Sequence, residues 1–473
     1  MVVQSVWLKT SEQLGFIESI EADLTPEHHE IHVGMLRLLC TKLSTACTKL
    51  EALRKKQIDS TTSKSEASLR RLKYTLTKAN VEEVIQDLKT WQELYDPTWY
   101  LVLRMSKQSI DAGLCTRTAS TNSVTKHAVT IREALKPQPS THASVFLSSS
   151  RLNEAEMHVI PLSTARWGPL PGADSKKLII IDRIACGGMD PNLVTKAIRA
   201  LAVKLESADP TKFSLLRCRG VMKVYDGAKA LEGFDMVLDV PKDTGRMPRT
   251  LRSSLLSRRK HTLGDRFSLA RQIANATNYV HMFGFVHKGI RPENVLCFND
   301  DITQLGPFFL TGFEHVRVAD GRTNRAGESK SWKDIYKHPS RQGMYPYEDY
   351  CMQHDIYSLG VCLLEIGLWT SFVVYGTRNV PELDTKVLNI DETQSPLSGQ
   401  RMKDSLLQLA RTELPVSMGS TYAEIVANCL TCLDEENNDF GDRSEFEDED
   451  GILIGLRYIE KVSHVLFAPT SGS

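Results

Sequence analysis

The segment His287-Lys288-Gly289-Ile290-Arg291-Pro292-Glu293-Asn294-Val295-Leu296 follows a long amphipathic helix pattern, Phe267 to Val280. It places basic, acidic and amide side chains in one short loop. Beyond it come Leu310-Thr311-Gly312-Phe313-Glu314 and Asp355-Ile356-Tyr357-Ser358-Leu359-Gly360-Val361, the latter inside a helix pattern reaching Trp369. On the N-terminal side, Leu178-Ile179-Ile180-Ile181 is an apolar run of strand length. Phe213-Ser214-Leu215-Leu216-Arg217-Cys218 and Gly233-Phe234-Asp235-Met236-Val237-Leu238 read as two further strands. A helix is expected from Leu193 to Leu205, between the first two. Strands first and helices later predict an α+β domain with two lobes.

These landmarks, in this order, resemble those of a protein kinase. His287 matches the His, and Asn294 the metal-binding Asn, of the catalytic-loop pattern H-R-D-L-x-x-x-N. Gly312-Phe313-Glu314 stands where a kinase has D-F-G, and Asp355 opens a segment similar to D-x-W-S-x-G. The resemblance implies structural duties for three residues. His287 and Phe313 match positions that stack in the internal apolar column, and Asp355 matches the anchor of the catalytic-loop backbone.

The departures bear on chemistry. A kinase uses an Asp in the catalytic loop to accept the substrate proton and the Asp of D-F-G to hold magnesium. Gly289 and Gly312 occupy those places, and glycine can do neither. General-base help is worth ~10²–10⁴ in rate. Trp167-Gly168-Pro169-Leu170-Pro171-Gly172 is the nearest glycine-bearing segment to a phosphate loop, and it does not fit G-x-G-x-x-G. Its prolines lack the backbone N–H groups that such a loop uses. If the strand at Leu178 carries the ATP-contacting position, Arg183 fills it. The helix expected at 193–205 has no Glu to pair with it. Arg183 and Asn294 are therefore the candidate cofactor contacts, and no catalytic residue and no metal ligand is assigned. No cofactor is expected, and any binding of ATP and magnesium is expected to be weak. The implied activity is that of a pseudokinase, a signalling or scaffold protein. The alternatives are an atypical active kinase using Glu293 or Glu314, and a plain protein-interaction scaffold.

Residues 31–105 read as helices. Leu36, Leu39, Leu43, Ala46, Leu50 and Leu53 share one face, and a break is expected at Asp59 to Ser63. Leu69, Leu72, Leu76 and Ala79 begin a second stripe, continued by Val81, Val84, Leu88, Trp91 and Leu94. Neither lasts the several heptads of a coiled coil, so a helical bundle is expected. Trp91-Gln92-Glu93-Leu94-Tyr95-Asp96-Pro97-Thr98-Trp99-Tyr100-Leu101 resembles the end of a HeLo-like domain of filamentous fungi. Such domains often precede a degenerate kinase-like domain whose loop reads much like Val286 to Leu296. The run from Cys429 to Val462 is also similar. This second resemblance implies non-self recognition or regulated cell death, self-association through the bundle, and membrane attack through an apolar N-terminal helix. Only Val2-Val3 and Val6-Trp7-Leu8 stand at the start here, so either that helix is absent or the sequence begins late.

The chain has 473 residues, 41% hydrophobic and 25% charged, the composition of a folded multidomain protein. Lys+Arg 58 balances Asp+Glu 58, which argues against a whole-chain grip on nucleic acid. No apolar run approaches a membrane span and no secretory signal opens the chain, so a cytoplasmic location and protein partners are expected. Cys429 and Cys432 form the lone CxxC and are read as buried thiols on a helix. The basic run 246–260 reads as a solvated helix, and the acidic run 434–450 as a flexible loop before a last helix, Ile452 to Val465. The expected organisation is a helical bundle at 1–105, a linker or a set of short elements at 106–150, a kinase-like domain at 151–465 and a tail at 466–473.

Overall fold

The structure is a computed structural model. It describes residues 2–59, isolated positions within 81–133, and residues 145–147, 156–170, 177–186, 190–241, 247–257, 259–298, 305–313, 317–318, 331–343, 350–376, 380–390, 398–437 and 440. The chain divides into two compact units, with the boundary between Arg132 and Glu133.

In the first unit, helix α1 spans Val2–Ser19 and helix α2 spans Pro26–Asp59, so helix begins well before residue 31. The start of α2 is locally encoded. Thr25 Oγ1 accepts from the His28 backbone N–H at 3.4 Å, and Pro26 stands where a first-turn N–H is dispensable. The described positions from Val81 to Trp99 are helical. Trp91 is buried, stacks on Tyr95 at 4.9 Å and donates its indole N–H to the Met35 carbonyl at 2.9 Å. Trp99 meets Phe16 edge-on at 5.0 Å. Helix α3, Gln108–Arg117, falls inside the stretch read as a linker or a set of short elements. Its Gly113 lies so close to Phe16 that a Cβ there would sit 3.3 Å from the ring. Arg132 closes this unit with hydrogen bonds to the Leu103 carbonyl and Asp111. Helix α3 is one of the short elements that the Ser-, Thr- and Lys-rich composition left open. The stripe at Leu69 to Ala79 lies outside the described residues.

The second unit begins with an antiparallel sheet in the order β1-β2-β3-β5-β4. Its strands are β1 (His158–Val159), β2 (Arg166–Pro169), β3 (Leu178–Ala185), β4 (Arg217–Tyr225) and β5 (Leu231–Asp239). Helix α4 (Pro191–Glu206) crosses between β3 and β4, with Asp190 as its N-cap and Val194, Ile198, Leu201 and Leu205 buried. The strand expected at Phe213 instead starts at Arg217. Asp209 caps a single helical turn, Pro210–Phe213, and this capping wins over the apolar run. Phe213 then buries its ring 4.0 Å from that of Tyr279.

After β6 (Pro248–Thr250) come the short helix α5 (Leu251–Leu256) and the long helix α6 (Leu263–Met282), which opens on a Thr262–Asp265 capping box. The catalytic-loop segment lies between β7 (Phe285–Val286) and β8 (Val295–Phe298). Strand β8 sits between β6 and β9 (Phe308–Leu310), and β10 (Arg317–Val318) pairs with β7. Helix α7 (Met352–Leu368) is buried along almost its whole length. It is followed by the hairpin of β11 (Val373–Tyr375) and β12 (Pro381–Leu383), then helices α8 (Gly399–Thr412) and α9 (Ser420–Leu430). Gly360 of α7 allows close approach of α9, since a Cβ there would lie 2.8 Å from that of Cys429. Cys429 and Cys432 are fully buried, and burial pushes the Cys429 thiol up to about 12. Among the described residues no helix is long and apolar enough to cross a membrane. Most of the acidic run 434–450, and all of 452–465, lie outside the described residues.

Candidate active site

The loop from His287 to Asn294 hangs on one carboxylate. Asp355, in the first turn of α7, is fully buried. It accepts from the backbone N–H groups of His287 at 2.7 Å and Lys288 at 2.9 Å, and from the Tyr350 hydroxyl at 2.7 Å. His281 Nε2 lies 3.0 Å from its Oδ2. Burial alone would raise the Asp355 pKa, but the hydrogen bonds and charges of its neighbours, led by His281, bring it below the usual value. Lys288 has φ 62°, the left-handed turn that aims two successive N–H groups at one acceptor. The His287 ring packs on Phe313 at 4.8 Å, and its Nδ1 accepts from the Gly289 N–H at 3.2 Å.

Asn294 is turned inward. Its Nδ2 donates to the Gly289 carbonyl at 2.7 Å, and its own carbonyl accepts from the Thr311 N–H at 2.8 Å. The two glycines close around this amide. A Cβ at Gly312, whose φ is 79°, would lie 2.1 Å from Asn294 Cγ. A Cβ at Gly289 would lie 3.0 Å from the Gly312 carbonyl oxygen and 3.1 Å from Asn294 Nδ2. The Asn294 amide therefore fills the space that a side chain at position 312 would need.

The residue on β3 that meets this region is Asp182, which the sequence reading passed over. Strand alternation puts Ile179 and Ile181 in one apolar cluster with Met222 and Val237, and turns Asp182 to the other face. Asp182 is fully buried. Its Oδ2 accepts from the backbone N–H groups of Gly312 at 2.8 Å and Phe313 at 3.1 Å. Arg183, the expected cofactor contact, points the opposite way. It is paired with Asp235, directly across from it on β5, and Arg166 joins the same carboxylate at 3.1 Å. The signal that could have found Asp182 is the period of two itself, counted from the apolar cluster rather than from the end of the run.

Other parts of the expected nucleotide machinery differ as well. Gly168 lies in β2, paired with Ile179, and not in a loop. A Cβ there would meet Met157 Sδ at 2.6 Å, so close packing accounts for this glycine. The turn from Ile160 to Ala165 that joins β1 to β2 contains no glycine and is closed by its own backbone hydrogen bond at 3.1 Å. Glu314 lies outside the described residues. Glu293, the other alternative acid, is buried and bonded to Arg252 Nε at 2.7 Å and to the Tyr375 hydroxyl at 3.3 Å.

Arg252 corrects the reading of the 246–260 run as a solvated helix: its side chain is fully buried in α5. Besides Glu293 it reaches Glu365 at 2.5 Å, Ser371 Oγ at 2.7 Å and the Tyr336 hydroxyl. Burial disfavours the charged guanidinium, yet Glu365, Tyr336 and Glu293 raise its pKa well above the usual arginine value. Basic composition alone cannot separate a buried, paired arginine from its solvated neighbours.

Residues 213–440 match the protein tyrosine and serine/threonine kinase family. Eukaryotic translation initiation factor 2-alpha kinase 1 of Rattus norvegicus is 27% identical over 169 residues, which cover 32% of this chain and 26% of that protein. A probable myosin light chain kinase of Dictyostelium discoideum is 24% identical over 177 residues, 36% of this chain and 50% of that protein. Among solved structures, a chain of the CAK complex from Chaetomium thermophilum bound to ATP-gamma-S is similar with a TM-score of 0.35, at 15% identity, over 61% of this chain and 85% of that one. The chain thus spans half or less of the length of these two relatives. Residues 213–440 are a protein-kinase-like domain.

Proposed function

We propose that the kinase-like domain transfers no phosphate and works as a pseudokinase, a signalling or scaffold module that binds a protein partner. One observation carries this reading: Asp182, Asn294 and the glycines at 289 and 312 fill and close the place where a kinase gathers its acids and its phosphate charge. The residues present do not fit a magnesium–nucleotide group. The position of the magnesium-binding acid is a glycine with no room for a side chain. The buried side chain reaching in from β3 is a carboxyl group, which brings no positive charge to hold phosphate. His287, Phe313 and Asp355 serve the architecture of the loop and not catalysis.

The rival reading, an active kinase, is favoured by the names of the relatives. One experiment decides between them. The full chain is incubated with radiolabelled ATP, magnesium or manganese, and generic protein substrates, and nucleotide binding is followed by thermal shift. No transfer above background and no shift are expected. Transfer that an Asn294→Ala variant abolishes would establish the rival. The helical first unit is proposed as the output element of a HeLo-like architecture that self-associates in fungal non-self recognition or cell death, with the kinase-like domain restraining it. Expressing residues 1–150 and the full chain separately in a fungal host tests this, and equal self-association and equal growth in both would remove the case for restraint.

A further inference from the structure

Helix α1 and the first turns of α2 enclose a half-open cavity of about 530 Å³, within the range of small-molecule sites. Its walls are mainly apolar, with Leu14, Ile17, Leu24, Val33 and Leu36 contributing, and Trp7 stands at its edge with half its surface exposed. Two buried polar side chains line this space, Thr10, which is bonded to Gln92, and His32. His32 is 4% exposed, and neither of its ring nitrogens has a hydrogen-bond partner among the described residues. The ring of Tyr95 lies edge-on to it at 5.9 Å. Buried polar atoms are nearly always satisfied, so an unsatisfied imidazole lining a cavity marks the place of a missing polar group. Burial, helped by His28 and His29, lowers its pKa to about 4. The ring is therefore neutral at neutral pH and offers one donor and one acceptor.

The charges that line the cavity are of one sign. Glu18 and Glu21 are both exposed there, and among the described residues no Lys or Arg lines it. His29, which lies 3.4 Å from Glu21, is half-exposed. An anionic head group would meet two carboxylates, and a cationic one would be held by them.

We propose that this cavity binds a cationic amphiphile: a hydrocarbon tail along the apolar walls, a hydroxyl bonded to His32 and a protonated amine at Glu18 and Glu21. The proposal rests on the first unit alone and stands whether or not the kinase-like domain is catalytic.

The test is binding of 2-aminododecan-1-ol to the full chain, kept below the concentration at which the amine forms micelles and followed by Trp fluorescence and calorimetry. Dodecanoate serves as the same-length anion. Saturable one-to-one binding of the amino alcohol is expected, with dodecanoate at least about tenfold weaker. His32→Leu removes the hydrogen bond without leaving a buried polar group, so it should fold and should bind about tenfold more weakly. The double variant Glu18→Gln/Glu21→Gln changes exposed residues only. It should lose the preference for amine over carboxylate while the tail still binds. The proposal is overturned if the amino alcohol shows no saturable binding, if dodecanoate binds equally well, or if neither variant changes the affinity.

Discussion

Two buried aspartates do the same thing in two regions of the second unit. Asp355 receives the adjacent N–H groups of His287 and Lys288, and Asp182 receives those of Gly312 and Phe313. Their surroundings separate them. Asp355 also bonds Tyr350 and His281, so it ties α7, the end of α6 and the loop into one cluster. Asp182 reaches from β3 to the Gly312–Phe313 step, which packs against Gly289 and the Asn294 amide. The floor under the catalytic loop is built as a support, whereas the space above it has been closed. Backbone hydrogen bonds hold a loop whatever side chains it carries. On the function proposed above, Gly289 and Gly312 lack the acids that phosphoryl transfer needs.

The comparison can be broken most sharply at Asp355. Asp355→Ala strands two loop amides together with His281 and Tyr350, and should cost about 3–5 kcal/mol of stability by urea unfolding. A loss below about 1 kcal/mol would show that the loop does not depend on it. The carboxylate has a depressed folded pKa, so its contribution is complete above the unfolded value near ~4 and is lost as pH falls through the folded value. Asp355→Asn should accordingly flatten the acid limb of the stability–pH curve.

Restoring the missing acid should harm the protein. Gly312→Asp places a Cβ against Asn294 in a left-handed backbone and should cost about 2–4 kcal/mol, with no gain in phosphoryl transfer. Adding Asn294→Ala should recover part of that loss in a thermal unfolding series. Full stability of the single variant would mean that the space above the loop opens readily.

Asp182→Ala should be milder, about 1–3 kcal/mol, because it frees two amides in one segment. Hydrogen exchange gives the sharper reading: the amides of Gly312 and Phe313 should exchange faster, while those of His287 and Lys288 stay protected. Equal acceleration in both pairs would merge the two regions into one cooperative unit.

The smallest effect belongs to Arg183. Its side chain is 37% exposed and Arg166 shares the same Asp235, so Arg183→Ala should change stability by less than about 1 kcal/mol. It should leave any nucleotide affinity untouched, since the side chain faces away from Asn294 and Gly312. A specific loss of ATP binding in this variant would reverse the assignment of faces on β3.

The sequence by itself determined the landmarks of the kinase-like domain, because they are local strings: the loop from His287 to Asn294, the Gly312-Phe313 step and the Asp355 helix. It also placed glycine at 289 and 312, the positions that the resemblance matches to the two kinase acids. Helix periodicity near Leu36 and around Trp91 was equally legible. Tertiary structure alone decided which charges matter. Arg183 and Asp182 are neighbours in the chain, and only the sheet pairing sends one to Asp235 and the other to the Gly312 amide. Arg252 looks like any member of a basic run until Glu293 and Glu365, distant in sequence, surround it. His32 reads as one more helix residue until α1 folds over it and leaves its ring facing a cavity. In each case the deciding quantity is contact with residues far away in the chain, which no local pattern records.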